Sequence, residues 1–367
     1  MRGASATDIE SPQWQVDLGG FVHADYALFV FDHGGVASSF RPKQLELGVA
    51  AQWGEQAGVR VDLNAFGNWV VDSAYQNQSA GALADSLVER AFVAWTPGRF
   101  TLRAGKMGVA AGVEALDVTE RIPLSRSFTS EVATPDLFTG ALGAVEVLPQ
   151  LDLTLQVSNG WDKAVDDNRA KTALVALPHR WGELETGDWL FEGTLAGMAG
   201  AERSFSADAR VLLDYSAAIR PLRQLLVNLE LLYGWEEGVG RDAAGNSSGQ
   251  LPAYWYGGQL DVYYDGSVQG AAVQGLRVGG RVEYHYDPDL SVGHPRLGNL
   301  PQLTTLLSTT AVARYALLPG LEAGIEYSID FQKGEVANVS LHRNAPVSQL
   351  GSWFQTHQLL LALVGAF

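Results

Sequence analysis

Hydrophobic and polar residues alternate along most of this chain with a period of two. Trp14, Val16, Leu18, Val22, Ala24, Tyr26, Leu28 and Val30 are set against Gln15, Asp17, His23 and Asp25, so the segment has one apolar face and one more polar face. The pattern returns at Leu45, Leu47, Val49, Ala51 and Trp53, and again at Val59, Val61, Leu63, Ala65 and Trp69. Each run is about ten residues long, which is the length a tilted transmembrane strand needs. Continued to the end, the pattern predicts about sixteen strands, the later ones centred near Leu142, Leu155, Val175, Phe191, Ala209, Leu229, Leu260, Gly280, Ala311, Ile325 and Leu361. The weakest is the one near Val175, because Thr172 to Pro178 does not alternate cleanly.

The connections fall into two classes. Thr96-Pro97-Gly98-Arg99, Pro149-Gln150 and Pro319-Gly320 are tight turns, flanked by apolar pairs that keep one face continuous. Longer polar segments lie at Tyr75 to Asp85, Asn159 to Ala170, Gly197 to Ser204, Glu236 to Gly249, Pro288 to Pro301 and Lys333 to Gly351. Short turns at one end and long loops at the other are a habit of outer-membrane barrels. The longest interruption runs from Leu102 to Gly140, where alternation is lost through Gly108, Gly112, Glu114, Asp117, Glu120, Arg121 and Pro123. Aperiodic segments of this length inside a compact domain are usually functional or disordered. In a channel-forming barrel the place for it is the lumen.

Composition narrows the picture further. The 367 residues include 41 Gly and no Cys, and no linker divides them. A formal charge of -16 argues against nucleic acid as a partner, because nucleic acids are bound through Lys and Arg. No apolar run approaches the roughly 20 residues of a spanning helix. Met1 to Gln13 carries Ala4-Ser5-Ala6, which has the form of a signal-peptidase site; a signal-peptide remnant and a plain small-residue tail both fit. The expected fold is therefore all-β. It is a transmembrane antiparallel β-barrel over residues 14–367, preceded by a tail over 1–13, with the long loop after the fifth strand folded into the lumen. The soluble alternative would have to bury some sixteen apolar faces with no helix layer to cover them.

Strand parity assigns charges to the inner face. The inward acids are Asp17, Asp25, Glu46, Asp62, Glu146, Asp152, Glu192, Asp208, Asp214, Glu230, Asp261, Glu283, Glu322, Glu326 and Asp330, fifteen in all. Against them stand seven bases, Arg60, Arg90, Arg103, Arg210, Arg277, Arg281 and Arg314. The excess argues for cations over anions. Glu89 misfits, since its parity points it at lipid. The expected pore constriction combines Arg60, Arg90, Arg103 and Lys106 of the wall with Glu114, Asp117, Glu120, Arg121, Arg126 and Glu131 of the long segment. Opposed acids and arginines there would set up a transverse field that orients dipolar solutes. The plainer alternative is that Arg90 and Arg103 pin the loop by salt bridges.

Leu102-Arg103-Ala104-Gly105-Lys106-Met107, Gly112-Val113-Glu114, Ser125-Arg126-Ser127, Phe138-Thr139-Gly140, Asn159-Gly160-Trp161-Asp162 and Asp167-Asn168 occur in that order. In this region the chain resembles the putative β-barrel porin-2 (OmpL-like) family, distantly similar to phosphate-selective porins. The resemblance implies an outer-membrane pore for ions and small hydrophilic solutes, with the loop after strand five turned inward. It departs at Met107-Gly108-Val109-Ala110-Ala111, where the family leads one to expect a more aromatic, proline-containing run. The C-terminal Leu359 to Phe367, an alternating strand closed by an aromatic, resembles the assembly signal of outer-membrane proteins. Expected partners are therefore the barrel-assembly machinery through Phe367, outer-membrane lipid and lipopolysaccharide, permeating solutes, and further copies in a homotrimer.

No cofactor or metal is expected, and enzymatic signals are poor. His285 beside Glu283 and near Asp287 suggests a barrel hydrolase, but no nucleophile at matching geometry is identifiable. Asp166-Asp167-Asn168 and Asp287-Pro288-Asp289 read as solvated turns before they read as divalent-ion loops. A non-conducting structural or adhesive barrel is the third reading, separable from a porin by conductance.

Overall fold

The computed structural model describes residues 14–32, 35–54, 56–64, 87–161, 170–184, 187–201, 209–237, 252–267, 271, 273–288, 302–335 and 353–367. Sixteen strands follow one another: β1 (Trp14–Phe31), β2 (Val36–Trp53), β3 (Ala57–Asn64), β4 (Val88–Trp95), β5 (Phe100–Gly108), β6 (Leu137–Leu148), β7 (Leu151–Ser158), β8 (Thr172–Glu183), β9 (Trp189–Ala201), β10 (Ala209–Leu222), β11 (Leu225–Glu236), β12 (Ala253–Asp265), β13 (Leu276–Tyr286), β14 (Gln302–Leu318), β15 (Leu321–Glu335) and β16 (Trp353–Ala366). Each is antiparallel to its neighbours, and β1 pairs β16 from Phe21↔Ala366 to Phe31↔Thr356, so the sheet closes into a barrel without edges. Antiparallel order sends successive connections to opposite ends. The tight connections at 96–99, 149–150, 223–224 and 319–320 therefore share one end, and the connection at 109–136 lies at the other.

Alternation determines what faces out. Val93, Trp95, Leu102, Leu361 and Leu363 share the outer parity and are 45–54% exposed. A continuous apolar belt of this kind is unfavourable against water and matches lipid. Aromatic residues concentrate at its two margins. Trp14 and Trp53 meet edge to face near the turn end, where Trp95 and Phe100 are also exposed; Tyr254, Tyr284 and Phe331 stand on the loop-end halves of β12, β13 and β15, with Tyr327 near the middle of β15. Trp69 lies outside the described residues.

Three sequence expectations are adjusted. Gly197 to Ala201 belongs to β9 and not to a loop; its Gly and Ala residues hide the alternation, although Met198 is buried on the inner face. Likewise Lys333 to Glu335 continues β15. Glu89 does not face lipid: Asp62 pairs Arg90 while Leu63 pairs Val88, so Glu89 is the extra residue of a β-bulge that turns it inward. The loop expected at Tyr75 to Asp85, residues 1–13, Asp208 and Asp166-Asp167-Asn168 lie outside the described residues.

The terminal aromatic completes the closure. Gly20 N–H donates to the Phe367 carbonyl and Phe367 N–H donates to the Gly20 carbonyl, both at 3.0 Å. The Phe367 ring itself is 68% exposed, so it contributes little to the folded barrel's stability. Phe367→Ser is accordingly expected to reduce insertion in cells while leaving the midpoint of thermal unfolding of protein refolded in detergent close to wild type. Heat-modifiable mobility of outer-membrane fractions measures the first effect. Wild-type levels there would show that the ring does not direct assembly.

Candidate functional site

The segment between β5 and β6 is held at several points by inward-facing residues of the wall. It starts apolar: Val109, Ala110 and Ala111 pack on a cluster that contains Leu174 of β8, Ala196 and Met198 of β9, and Leu212 of β10. Small residues thus stand against this cluster where a more aromatic run was expected. Gly112 then takes φ +81, open to glycine without strain, and its N–H donates to Asp214 Oδ1 of β10 at 2.9 Å.

Beyond Gly112 the anchors become ionic. Glu114 Oε2 accepts from Ser127 N–H at 2.8 Å, and its Oε1 accepts from Arg281 Nη1 of β13 at 3.1 Å. Arg281 reaches on to Ser125 Oγ and the Arg126 carbonyl, both at 3.3 Å. Asp117 accepts from Arg90 of β4 at 3.0 Å. Arg314 of β14 donates to the carbonyls of Val118 and Arg121, each at 2.8 Å. Glu326 of β15 takes the N–H groups of Leu124 and Ser125 at 2.7 and 3.2 Å. Between these pins Val118, Ile122 and Leu124 bury against a cluster containing Val312, Leu360, Ala362 and Val364. A single π-helical turn, Thr129–Ala133, follows, with Thr129 N–H directed at Glu283 of β13 at 3.3 Å. Arg126 closes the segment on itself through a two-pronged pair with Asp136 at 2.7 and 2.5 Å.

The constriction residues expected from sequence therefore separate into two groups. Arg90, Glu114, Asp117 and Arg126 are anchors, drawn into ion pairs and largely removed from solvent. Arg121 donates to the Leu124 carbonyl at 3.2 Å within the same segment. Glu120 and Glu131 are exposed. Arg60 turns to Asp62 at 2.7 Å, and Arg103 lies over the Phe92 ring at 5.5 Å without reaching the segment. Lys106 is a correction: it shares the parity of Leu102 and Ala104 and pairs Ala91, so the register puts it on the outer face. Arg281, Arg314, Glu283, Glu326 and Asp214 hold the segment and were missed as site residues, although parity had already placed all five inside.

Burial alone would push the Glu114 carboxyl up, but the Arg281, Arg121 and Arg126 guanidiniums and the Ser127 N–H outweigh it and hold it below the ordinary range. For Arg126 burial works downward, and the Asp136 carboxylate reverses it to a net rise. A carboxyl depressed in the folded state gives stability that is complete above its unfolded value and is lost as pH falls through the folded value. The Glu114 anchor should thus persist from neutral pH down through the usual Glu range near ~4.3 and fail only below it. Hydrogen exchange of a peptide covering 113–130, corrected for intrinsic rates, measures this. Deprotection beginning above about pH 5 would contradict the assignment.

A closed sixteen-strand antiparallel barrel with an apolar outer belt, aromatic margins and a charged inner face is an outer-membrane barrel of the porin type. The chain belongs to the family described as Putative beta-barrel porin-2, OmpL-like, whose model matches residues 31–359, and its location is the bacterial outer membrane. Solved structures of the same fold include the outer membrane channel DcaP of Acinetobacter baumannii (10% identity, 96% of this chain and 97% of that one, TM-score 0.60). The anion-selective porin from Comamonas acidovorans matches at 11% identity, 97% and 100% coverage and TM-score 0.60. The trimer form of OmpT, an outer membrane protein of Vibrio cholerae, matches at 8% identity, 96% and 99% coverage and TM-score 0.58. A comparison with curated proteins finds no match.

Proposed function

We propose that this protein is a passive diffusion porin for ions and small hydrophilic solutes, narrowed by its 109–136 segment and mildly cation-preferring. The observation that carries this reading is the distribution of the anchors: they come from β4, β10, β13, β14 and β15, so the segment reaches strands far around the ring from its own ends. A cleft of about 240 Å³ lies beside Gly112 and Val113, lined by Arg180, Glu192, Thr194 and Ser216, and provides polar space under the segment. The trimer form of the Vibrio cholerae relative supports a homotrimer. Lipopolysaccharide and the barrel-assembly machinery are the further partners that an outer-membrane setting calls for.

The ion preference rests on fewer charges than the wall count suggests. Asp25, Glu46, Asp62, Asp214, Glu230, Asp261, Glu283 and Glu326 are all buried, so they act weakly on a permeating ion. Glu120 and Glu131 are exposed on the narrowing segment itself, where the barrier is set. Arg60 and Arg103 oppose them, which keeps the preference modest. The reversal potential in a salt gradient is expected to show cation preference near 0.1 M salt, where the Debye length is ~10 Å, and to lose it near 1 M, where it is ~3 Å. Glu120→Gln with Glu131→Gln should remove most of the effect. Anion preference at low salt would overturn the reading.

A non-conducting barrel is favoured by one observation, the dense packing of the segment against the wall in two apolar clusters; absence of single-channel current from folded protein would select it. The hydrolase reading is disfavoured because His285 is buried edge to face with Phe128 and offers a substrate no approach.

A further inference from the structure

Where the segment passes β2 and β4, three carboxylates converge from separate parts of the chain: Glu46 of β2, Glu89 of the β4 bulge and Asp117 of the segment. One ligand oxygen of each lies within 4.8 Å of the others. They are 5%, 9% and 3% exposed, so water does not screen them effectively. Among the described residues Glu46 Oε2 and Asp117 Oδ1 accept no hydrogen bond. Around them Asn64 donates to Glu89 Oε2 at 2.7 Å, and Arg90 binds Asp117 at 3.0 Å, Glu89 at 3.4 Å and Asp62 at 3.5 Å. Arg60 is engaged by Asp62 at 2.7 Å. With Asp62 included, four carboxylates face two guanidiniums, an excess of two negative charges at a buried point. Buried unpaired carboxylates are strongly unfavourable unless a proton or a cation neutralises them.

We propose that Glu46, Glu89 and Asp117 form a calcium site that fastens the 109–136 segment to the wall at β2–β4. An all-oxygen donor set suits a hard divalent ion over zinc or copper. Calcium is preferred to magnesium because its coordination tolerates irregular geometry, which a site assembled from two strands and a loop presents. Two of the ligands have a local origin: the bulge that misplaces Glu89 relative to its parity brings it beside Asn64, which pairs Glu46 across β2–β3. Such an ion would anchor the segment on a stretch of wall separate from the Arg281 and Glu326 pins of β13 and β15, and this holds whether or not the barrel conducts.

The test uses full-length protein refolded in detergent free of lipopolysaccharide, stripped with a chelator and titrated with CaCl2 at constant ionic strength. One saturable calcium ion per chain is expected, with magnesium binding at least tenfold more weakly. Glu46→Gln isolates the site, because Glu46 Oε2 makes no hydrogen bond that the variant would break. Without calcium this variant should melt at or above the wild-type temperature, since it removes an uncompensated buried charge. With calcium it should lose the stabilisation that wild type gains. Calcium raising both melting temperatures equally, or neither, would overturn the proposal, as would the absence of saturable uptake by folded wild type. In the last case shared protons neutralise the cluster.

Discussion

Deleting Ala110 to Arg121 should raise single-channel conductance severalfold and lower the thermal stability of the barrel. The deletion removes the Gly112, Glu114 and Asp117 anchors to β10, β13 and β4 and the Val118 contact with the Val312 and Leu360 cluster. The resistance of the pore interior is then set by the wall and what remains of the segment. The stability loss has a separate origin. Leu174, Met198 and Leu212 face inward and are covered in part by Ala110 and Ala111, so the deletion exposes apolar surface to water at a cost of roughly 25 cal/mol per Å². Planar-bilayer recording together with heat-modifiable mobility separates the two effects. Unchanged or lower conductance from an intact barrel would mean that the segment does not limit the current.

The strands were legible because a wall between lipid and a polar interior imposes period two on nearly every crossing, and where the pattern faltered the cause was the segment. Thr172 to Pro178 failed to alternate since Leu174 and Ala176 point inward into an apolar cluster that also packs Ala110 and Ala111. In β16 the inner positions are apolar for the same reason: Leu360, Ala362 and Val364 meet Val118, Ile122 and Leu124. In a water-filled barrel, inward apolar residues of this kind mark where a loop docks, and that signal was present in the sequence. Partner choice was not. Glu326 meets Leu124 across 202 positions and Arg281 meets Glu114 across 167, separations that no local pattern encodes. The bulge at Glu89 adds one residue to β4 and so defeats any assignment by parity.

The same long-range geometry accounts for the inflated acid count. Parity gives the face of a residue, and only packing tells whether that face meets solvent. Glu283 and Glu326 are inward, as expected, yet each is occupied with N–H groups of the segment. Their charge secures the segment's position and is largely unavailable to a passing ion. The porin from Comamonas acidovorans, of the same fold, is described as anion-selective, and a shared fold by itself carries no selectivity over to another chain. The sign of selectivity has to come from the few charges each chain leaves exposed.

Among the buried charges that hold the segment, Arg281 is the one whose loss should matter most. Arg281→Ala is expected to lower stability by about 3–5 kcal/mol, the usual consequence of leaving a buried partner charge uncompensated. Its guanidinium serves Glu114, Ser125 and the Arg126 carbonyl in the segment, and lies 3.6 Å from Glu283 on its own strand. Removing it takes a neighbouring guanidinium from two buried carboxylates at once, leaving Glu114 with Ser127 and Glu283 with the Thr129 N–H. Glu114→Ala alone should also destabilise, because Arg281 loses a partner and Ser127 loses its acceptor for both N–H and Oγ–H. Combined, the two substitutions should be less harmful than the sum of the singles, with a coupling of about 0.5–3 kcal/mol for groups in direct contact. Denaturant unfolding of the refolded barrel in detergent measures all four corners of the cycle. Additivity within about 0.5 kcal/mol would show that the pair is not coupled, and that the segment is held chiefly by Arg314, Glu326 and the apolar clusters.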